Sequence, residues 1–452
     1  MRNFIIKLIN FFVCCTLFSF ITLLDSTQEL KAFDKNKVLD SIKYLASDEL
    51  NGRLSGNSGN FKAMSYIKEG FNQTKLSQFN NSYLSPFQVN YPVKTNGNPE
   101  LKVYDKKGNL LKSYEYNKDF KESGLNFKTN SLTFTSKDKI NLYPRSFEII
   151  QGDKSFLFYT ARFNDFPFRS SFMYDARSDL YTILSPETFN DLIGYYKKDF
   201  TITCNFPYKV ENTTIYNVVG KIKGINPKLP PLVLTAHFDH VGQDLNNTTY
   251  KGALDNASGT AFLLELSSYL RTLPPPERDI IFVALNAEEF GLLGSKDFAE
   301  KNKGLLKDAT VINFDMIGSD YKIPLSIMSG KKVPKDSKLP KEFESFCKQN
   351  SIPTRLLFED SSDHASFNNE GINAVTLSDG DLSKIHTPDD NFEFIRPSAI
   401  DRAFKVAWFK IDSLCYSYLP LEILNMKYVK INGLIFLGFL VIALFIKPKK
   451  TE

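Results

Sequence analysis

From about Asn217 to about residue 415 the chain alternates short apolar runs with helical periods. No other feature constrains its fold as strongly. NVVGKIKG, PLVLTAH, RDIIFVALNAEE, TVINFDMIG and INAVTLSDG read as strands. SGTAFLLELSSYLRTL reads as a helix with Phe262, Leu263, Leu266, Leu270 and Leu273 on one side, stopped by Pro274, Pro275 and Pro276. A last helix is expected from Pro397, because proline suits the first helical position. Apolar strands separated by helices cover both faces of a parallel sheet. The expected fold is therefore α/β, a three-layer sandwich around a mostly parallel, twisted central sheet.

The remaining sequence divides around this unit. VLDSIKYLASDEL and FKAMSYIKEGF carry helical spacing on either side of the loop NGRLSGNSGN, which gives an N-terminal helical part at 25–79. Residues 80–210 change character: stretches such as SLTFTS and SFLFYTARF, broken by Asn, Asp, Gly and Pro, read as a strand-rich insert without a chemistry-bearing motif. The strand–helix unit occupies 211–420.

Both ends are apolar and basic. Residues 8–24 follow Arg2 and Lys7, so 1–24 is expected to be a signal peptide or an N-terminal membrane anchor. Residues 431–446 reach about 24 Å as a helix, and Tyr428 and Val429 extend the run, so 428–446 is expected to span a membrane. The basic tail at 447–452 then lies in the cytoplasm, and the body is membrane-anchored outside it. The formal charge is +5, most of it carried at these ends, so the body lacks the basic footprint of a nucleic-acid binder. A hydrophobic share of 42% and a charged share of 24% exclude a disordered chain and a polytopic membrane protein. Of the five cysteines, only Cys204, Cys347 and Cys415 lie in the body, and none has CxxC spacing. A disulfide scaffold and a cysteine-based zinc or redox site are therefore not indicated.

Acidic and imidazole side chains follow the carboxyl ends of the expected strands, where open α/β sheets bind ligands. His237, Asp239 and His240 follow PLVLTA, Asp255 lies in GALDNASG, Glu288 and Glu289 follow DIIFVALNA, Asp315 ends TVINF, and His386 lies in IHTPDD. Taken singly, each has an ordinary reading: a core histidine, an N-cap, a solvated first turn. Together they would need five coincidences on one sheet edge. All four histidines of the chain, His364 being the fourth, lie in or near these loops. Two imidazoles with several carboxylates suit zinc, with Mn2+ or Co2+ as substitutes, and such a set can hold two ions about 3.5–4 Å apart.

These segments resemble the co-catalytic dizinc exopeptidases of clan MH, metallo-peptidase family twenty-eight, of the leucyl and aminopeptidase-Y type. HFDH, GALDNASG, NAEEFGLLGS, NFDMIG and HTPDD look like that family's motifs, in its order, and SDELNGRLSGNSGNFKAMSYI is similar to its N-terminal segment. The resemblance covers roughly residues 34–70 and 215–415. It implies a zinc-exopeptidase, phosphorylase/hydrolase-like fold, with His237 and Asp315 on one Zn2+, Glu289 and His386 on the other, and Asp255 bridging. Glu288 would be the general base acting on a metal-activated water, Asp239 would orient His237, and Asp390 would do likewise for His386. His240, Asp363 and His364 match family positions at the rim of the site, without an assigned role. The insert lies where many relatives carry a protease-associated domain, whose glycine-rich pattern it lacks.

The implied activity is a zinc-dependent aminopeptidase acting on peptide or protein N-termini outside the cytoplasm. Three alternatives stay open at this point: a glutaminyl cyclase-like acyltransferase, a dipeptidase or carboxypeptidase of the same clan, and a non-catalytic binding protein on this fold.

Overall fold

The computed structural model describes residues 8, 11–17, 32–126, 128–160, 166–173, 176–320, 322–417, 433–438 and 440–441. The segments expected to be a leader or anchor (1–24), a membrane span (428–446) and a basic tail (447–452) fall wholly or largely outside these residues. Among the described residues no helix is long and apolar enough to cross a membrane.

The central sheet has nine strands: β1 (Ser77–Gln78), β2 (Leu84–Lys94), β3 (Tyr208–Ile222), β4 (Leu232–His237), β5 (Ile280–Leu285), β6 (Thr310–Phe314), β7 (Leu325–Ser329), β8 (Thr354–Phe358) and β9 (Asn373–Ser378). Their order is β1–β3–β5–β4–β6–β9–β7–β8, with β2 also paired to β3. The inner strands β5, β4, β6 and β9 are parallel, whereas β3 and β7 run antiparallel to their inner neighbours. The sheet is thus parallel where the site lies and mixed at its flanks.

Strand parity sets the layers. Leu232, Leu234, Ala236, Ile280, Phe282 and Ala284 face one side, against α1 (Lys35–Leu45), α2 (Ser58–Gln73), α3 (Gly259–Thr272) and α7 (Pro397–Cys415). Val233, Ile281, Val283 and Val311 face the other, against Phe298 and Ala299 of α4 (Leu293–Lys301) and Phe367 of α6 (His364–Asn369). Each fully buried aliphatic or aromatic side chain of this kind contributes about 1.5–3 kcal/mol. Local signals agree with this packing. Asp34 caps α1 by accepting from the Asn36 amide, Asn57 caps α2 by accepting from the Asn60 amide, and α3 stops before Pro274.

The insert is strand-rich, with one five-stranded and one four-stranded sheet around a core that includes Phe120, Phe134, Phe147, Phe158 and Phe206. It is not cleanly separated at position 211. Strand β3 runs unbroken through that point, its first part paired along β2 and its last part along β5. Cys204, Cys347 and Cys415 are free and buried.

A further β–α–β unit, its two strands parallel, had no counterpart in the sequence reading. Strands β7 and β8 and the helices α5 (Lys338–Gln349) and α6 fill residues 325–369. They extend the sheet beyond β9 and supply one wall of the cleft described below.

Candidate metal centre and active site

Parallel pairing levels the strand ends. His237 at the end of β4 pairs with Leu285 of β5, and Phe314 at the end of β6 pairs with Leu377 of β9. The loops carrying Glu288–Glu289, Asp315 and His386 therefore leave the sheet at one edge, beside His237. Asp255 reaches the same place from the loop before α3.

Two clusters result, one of His237, Asp255 and Asp315 and the other of His240, Asp255, Glu289 and His386, all buried. In the first, His237 Nε2 lies 3.4 Å from Asp315 Oδ1 and 3.5 Å from Asp255 Oδ1. In the second, His386 Nε2 lies 3.0 Å from both Asp255 Oδ2 and Glu289 Oε1. Asp255 is common to both and turns a different oxygen to each. A tetrahedral zinc with bonds near 2.0–2.1 Å has donor–donor edges of roughly 3.3 Å, so these separations fit such ions.

The charge balance points the same way. Burial opposes protonation of His237, yet Glu288, Asp315 and Asp239 hold its imidazole well above the ordinary value. His386 is held high by Glu289 and Asp255 against the same burial. Burial pushes against ionisation of Glu289 too, but His386 and His240 hold it well below the usual carboxylate range. A pocket of this composition calls for positive charge at its centre.

Glu288 belongs to neither cluster, is half-buried, and lines the same cavity. Burial, reinforced by Glu289, Asp363 and Asp315, pushes its carboxyl well above the usual range. The turn that presents it is fixed from below. Asn286 Oδ1 accepts from Ser55, Asn60 and the Ala287 amide, and Asn286 Nδ2 donates to Asn60 Oδ1. Ala287, Met316 and His386 all have positive φ, a conformation costing about 1–3 kcal/mol each that surrounding contacts must enforce.

The supporting residues differ in part from expectation. Asp239 accepts the backbone amides of both Glu288 and Glu289 at 3.1 Å, and its Oδ1 is 3.7 Å from His237 Nδ1. It thus holds the glutamate turn as well as facing the His237 imidazole. Asp390 does not orient His386: its carboxylate accepts the amides of Leu254 and Asp255 at 2.7 and 3.0 Å and so holds the Asp255 loop. His240, Asp363 and His364 are not at a solvated rim, since all three are 0% exposed. His240 Nδ1 lies 3.1 Å from Glu289 Oε1, inside the second cluster. His364 is held between Thr376 Oγ1 and the Glu359 carbonyl. Burial raises Asp363 to about 7.

Several contributors carried no sequence signal. Ser171 of the insert donates to Glu289 Oε2 at 2.6 Å, and the Phe168 ring stacks on His386 at 5.7 Å. The Arg169 amide donates to the His386 carbonyl and the Phe172 amide to the Glu289 carbonyl. The insert therefore lies directly on two candidate ligands. Buried Arg53, from the N-terminal loop, donates to the carbonyls of Phe238, Leu45, Lys251 and Gly252 and so ties the His237 and Asp255 loops together. Ser362 donates to Asp315 Oδ2 at 2.6 Å.

Fold and site together define an α/β sandwich domain that gathers a candidate metal centre at one edge of its sheet. Residues 217–409 match Peptidase family M28. Aminopeptidase YwaD of Bacillus subtilis is 31% identical over 207 residues, covering 42% of this chain and 43% of YwaD. The vacuolar membrane protease of Kluyveromyces lactis is 39% identical over 109 residues, covering 24% of this chain and 11% of that protein. The chain thus spans less than half the length of these curated relatives. Among solved structures, the aminopeptidase from Aneurinibacillus sp. strain AM-1 superposes with a TM-score of 0.61 at 19% identity, covering 86% of this chain and 96% of that one. A Bacillus subtilis zinc aminopeptidase, BSAP, superposes with a TM-score of 0.57 at 17% identity, covering 86% and 97%. These likenesses establish the fold.

Proposed function

We propose that the protein is a zinc-dependent aminopeptidase that removes N-terminal residues from peptides. The observation that carries this reading is the sharing of Asp255 between two imidazole–carboxylate clusters while Glu288 stays outside both. Aminopeptidase YwaD among the relatives supports it.

His237 and Asp315 would hold one ion, Glu289 and His386 the other with His240 beside them, and Asp255 both. When bound, such a pair lowers the pKa of a water and polarises the scissile carbonyl. The residues of the chain do the rest. Glu288 faces the cleft without a ligand's duty, so its carboxylate accepts the water proton and returns it to the leaving amine. Asp239 fixes the turn that aims Glu288, through its bonds to the Glu288 and Glu289 amides. An ion held by Glu289 and His386 would offer a position for a substrate's free α-amine, which would direct cleavage to chain ends.

The insert acts in this reading as a fixed wall. Its Lys121 donates to Tyr250 and to the Phe166 carbonyl, both at 2.7 Å, and its Arg169 pairs with Glu122 at 2.6 Å while donating to the Val241 carbonyl. Buried polar contacts of this kind specify a single docked arrangement.

The apolar runs at 8–24 and 428–446, each flanked by basic residues, support an anchored protein whose body lies outside the cytoplasm. Vacuolar membrane proteases among the relatives agree with a membrane setting.

A panel of aminoacyl chromogenic substrates, free and N-blocked, with and without chelator, tests the activity. The reading requires chelator-sensitive turnover of free substrates. Blocked substrates cleaved as fast as free ones would remove it.

A further inference from the structure

The cavity that holds the candidate ligands continues past them. It encloses about 390 Å3 and is walled on its far side by one face of β7 and β8, through Ser326 and Met328 and through Arg355 and Leu357. Met316, Leu382 and Ile385 close its apolar part.

Arg355 stands at the edge where the chemistry lies. Ser326 pairs with Ser378, the last residue of β9, and also with Arg355, so the three are level across the sheet. At about 4.8 Å between strands, Arg355 starts roughly 10 Å from the end of β9. The guanidinium is braced rather than free to swing: Nε donates to Ser326 Oγ at 2.8 Å and Nη2 to the Gly380 carbonyl at 3.2 Å. Gly380 makes room for it, since a Cβ there would lie 2.2 Å from Nη2. Among the described residues no carboxylate comes within 4.0 Å of Arg355. Glu359, the acidic residue on the same strand face, is four residues on, about 13 Å along an extended chain. Arg355 is exposed on the wall of the cleft, and its braced guanidinium, without a carboxylate partner among the described residues, can receive a carboxylate from a substrate.

We infer, building on the peptidase reading above, that Arg355 recognises a carboxylate of the substrate, so that the enzyme favours substrates bearing one a short apolar distance from the scissile bond. Two sources share this chemistry: the side chain of an aspartyl or glutamyl residue, and the free C-terminus of a dipeptide.

The test uses the purified full chain, as wild type, R355Q and R355E. One arm compares kcat/KM for glutamyl, leucyl and lysyl p-nitroanilides; the other compares Leu-Leu with Leu-Leu-amide. In the arm that holds the true source, the wild type prefers the carboxylate, and R355Q lowers that preference about 10- to 100-fold, as loss of a charge-assisted hydrogen bond does. If the side chain is the source, R355E turns the preference toward lysyl substrates. Selectivity ratios in both arms unmoved by R355Q would overturn the inference while leaving the aminopeptidase reading intact. Calorimetric binding of glutamate against leucine reads the same preference without turnover. Glutamate bound more tightly in wild type but not in R355Q supports Arg355 even if hydrolysis fails; equal binding of the two in wild type refutes the side-chain source, and Leu-Leu bound no more tightly than Leu-Leu-amide then refutes the inference as a whole.

Discussion

Asp255 divides its carboxylate between two imidazoles, with Oδ1 3.5 Å from His237 Nε2 and Oδ2 3.0 Å from His386 Nε2. The loop that makes this possible is held by Asp390 on one side and by Arg53 on the other. Asp255→Ala should therefore damage both ion sites together, with activity falling by at least about 1,000-fold and zinc content falling in parallel. Paired measurements of kcat/KM and metal content on the variant check this.

Glu288→Ala should give the opposite pattern. The side chain is outside both clusters, so zinc content should match wild type while kcat falls on the order of 100- to 10,000-fold, the usual contribution of a general base. Loss of metal in this variant would show that Glu288 is a ligand.

Ser171→Ala removes the hydroxyl that fixes Glu289 Oε2 from the insert. Outer partners of ligands typically contribute 10- to 100-fold to metal affinity, so zinc should dissociate at about 10- to 100-fold lower chelator concentration. An unchanged chelator titration would deny the insert a part in the metal site.

Arg169→Ala breaks a pair whose side chains are only 7% and 2% exposed and leaves Glu122 buried without its partner. Breaking such a pair costs about 3–5 kcal/mol, so thermal unfolding should move down by several degrees. Arg169→Lys should recover part of the loss, because its single ammonium replaces the charge but not the two-directional donor fork.

Much of the site was legible because sheet geometry does the gathering. Residues just past the ends of adjacent parallel strands converge, so His237, Glu289, Asp315 and His386 could be picked out one strand at a time. What could not be read is where a side chain turns after the strand ends. Asp390 is close to His386 in sequence, yet its carboxylate faces the Leu254 and Asp255 amides. His240 was matched only to a rim position without a role, and it is enclosed beside Glu289. Ser171, Phe168 and Arg53 act through long-range packing, which leaves no local period or motif. Arg355 was hidden for a further reason: β7 and β8 are short strands at the mixed flank of the sheet, where β7 turns antiparallel to β9 and the run of parallel inner strands ends.

Elemental analysis of the active, purified full chain, freed of loosely held ions, addresses the central claim most directly. The account predicts close to two zinc ions per chain, and their loss together with activity in Asp255→Ala. Full activity in a preparation that contains no transition metal, or an Asp255→Ala variant that retains its full metal complement, would contradict it.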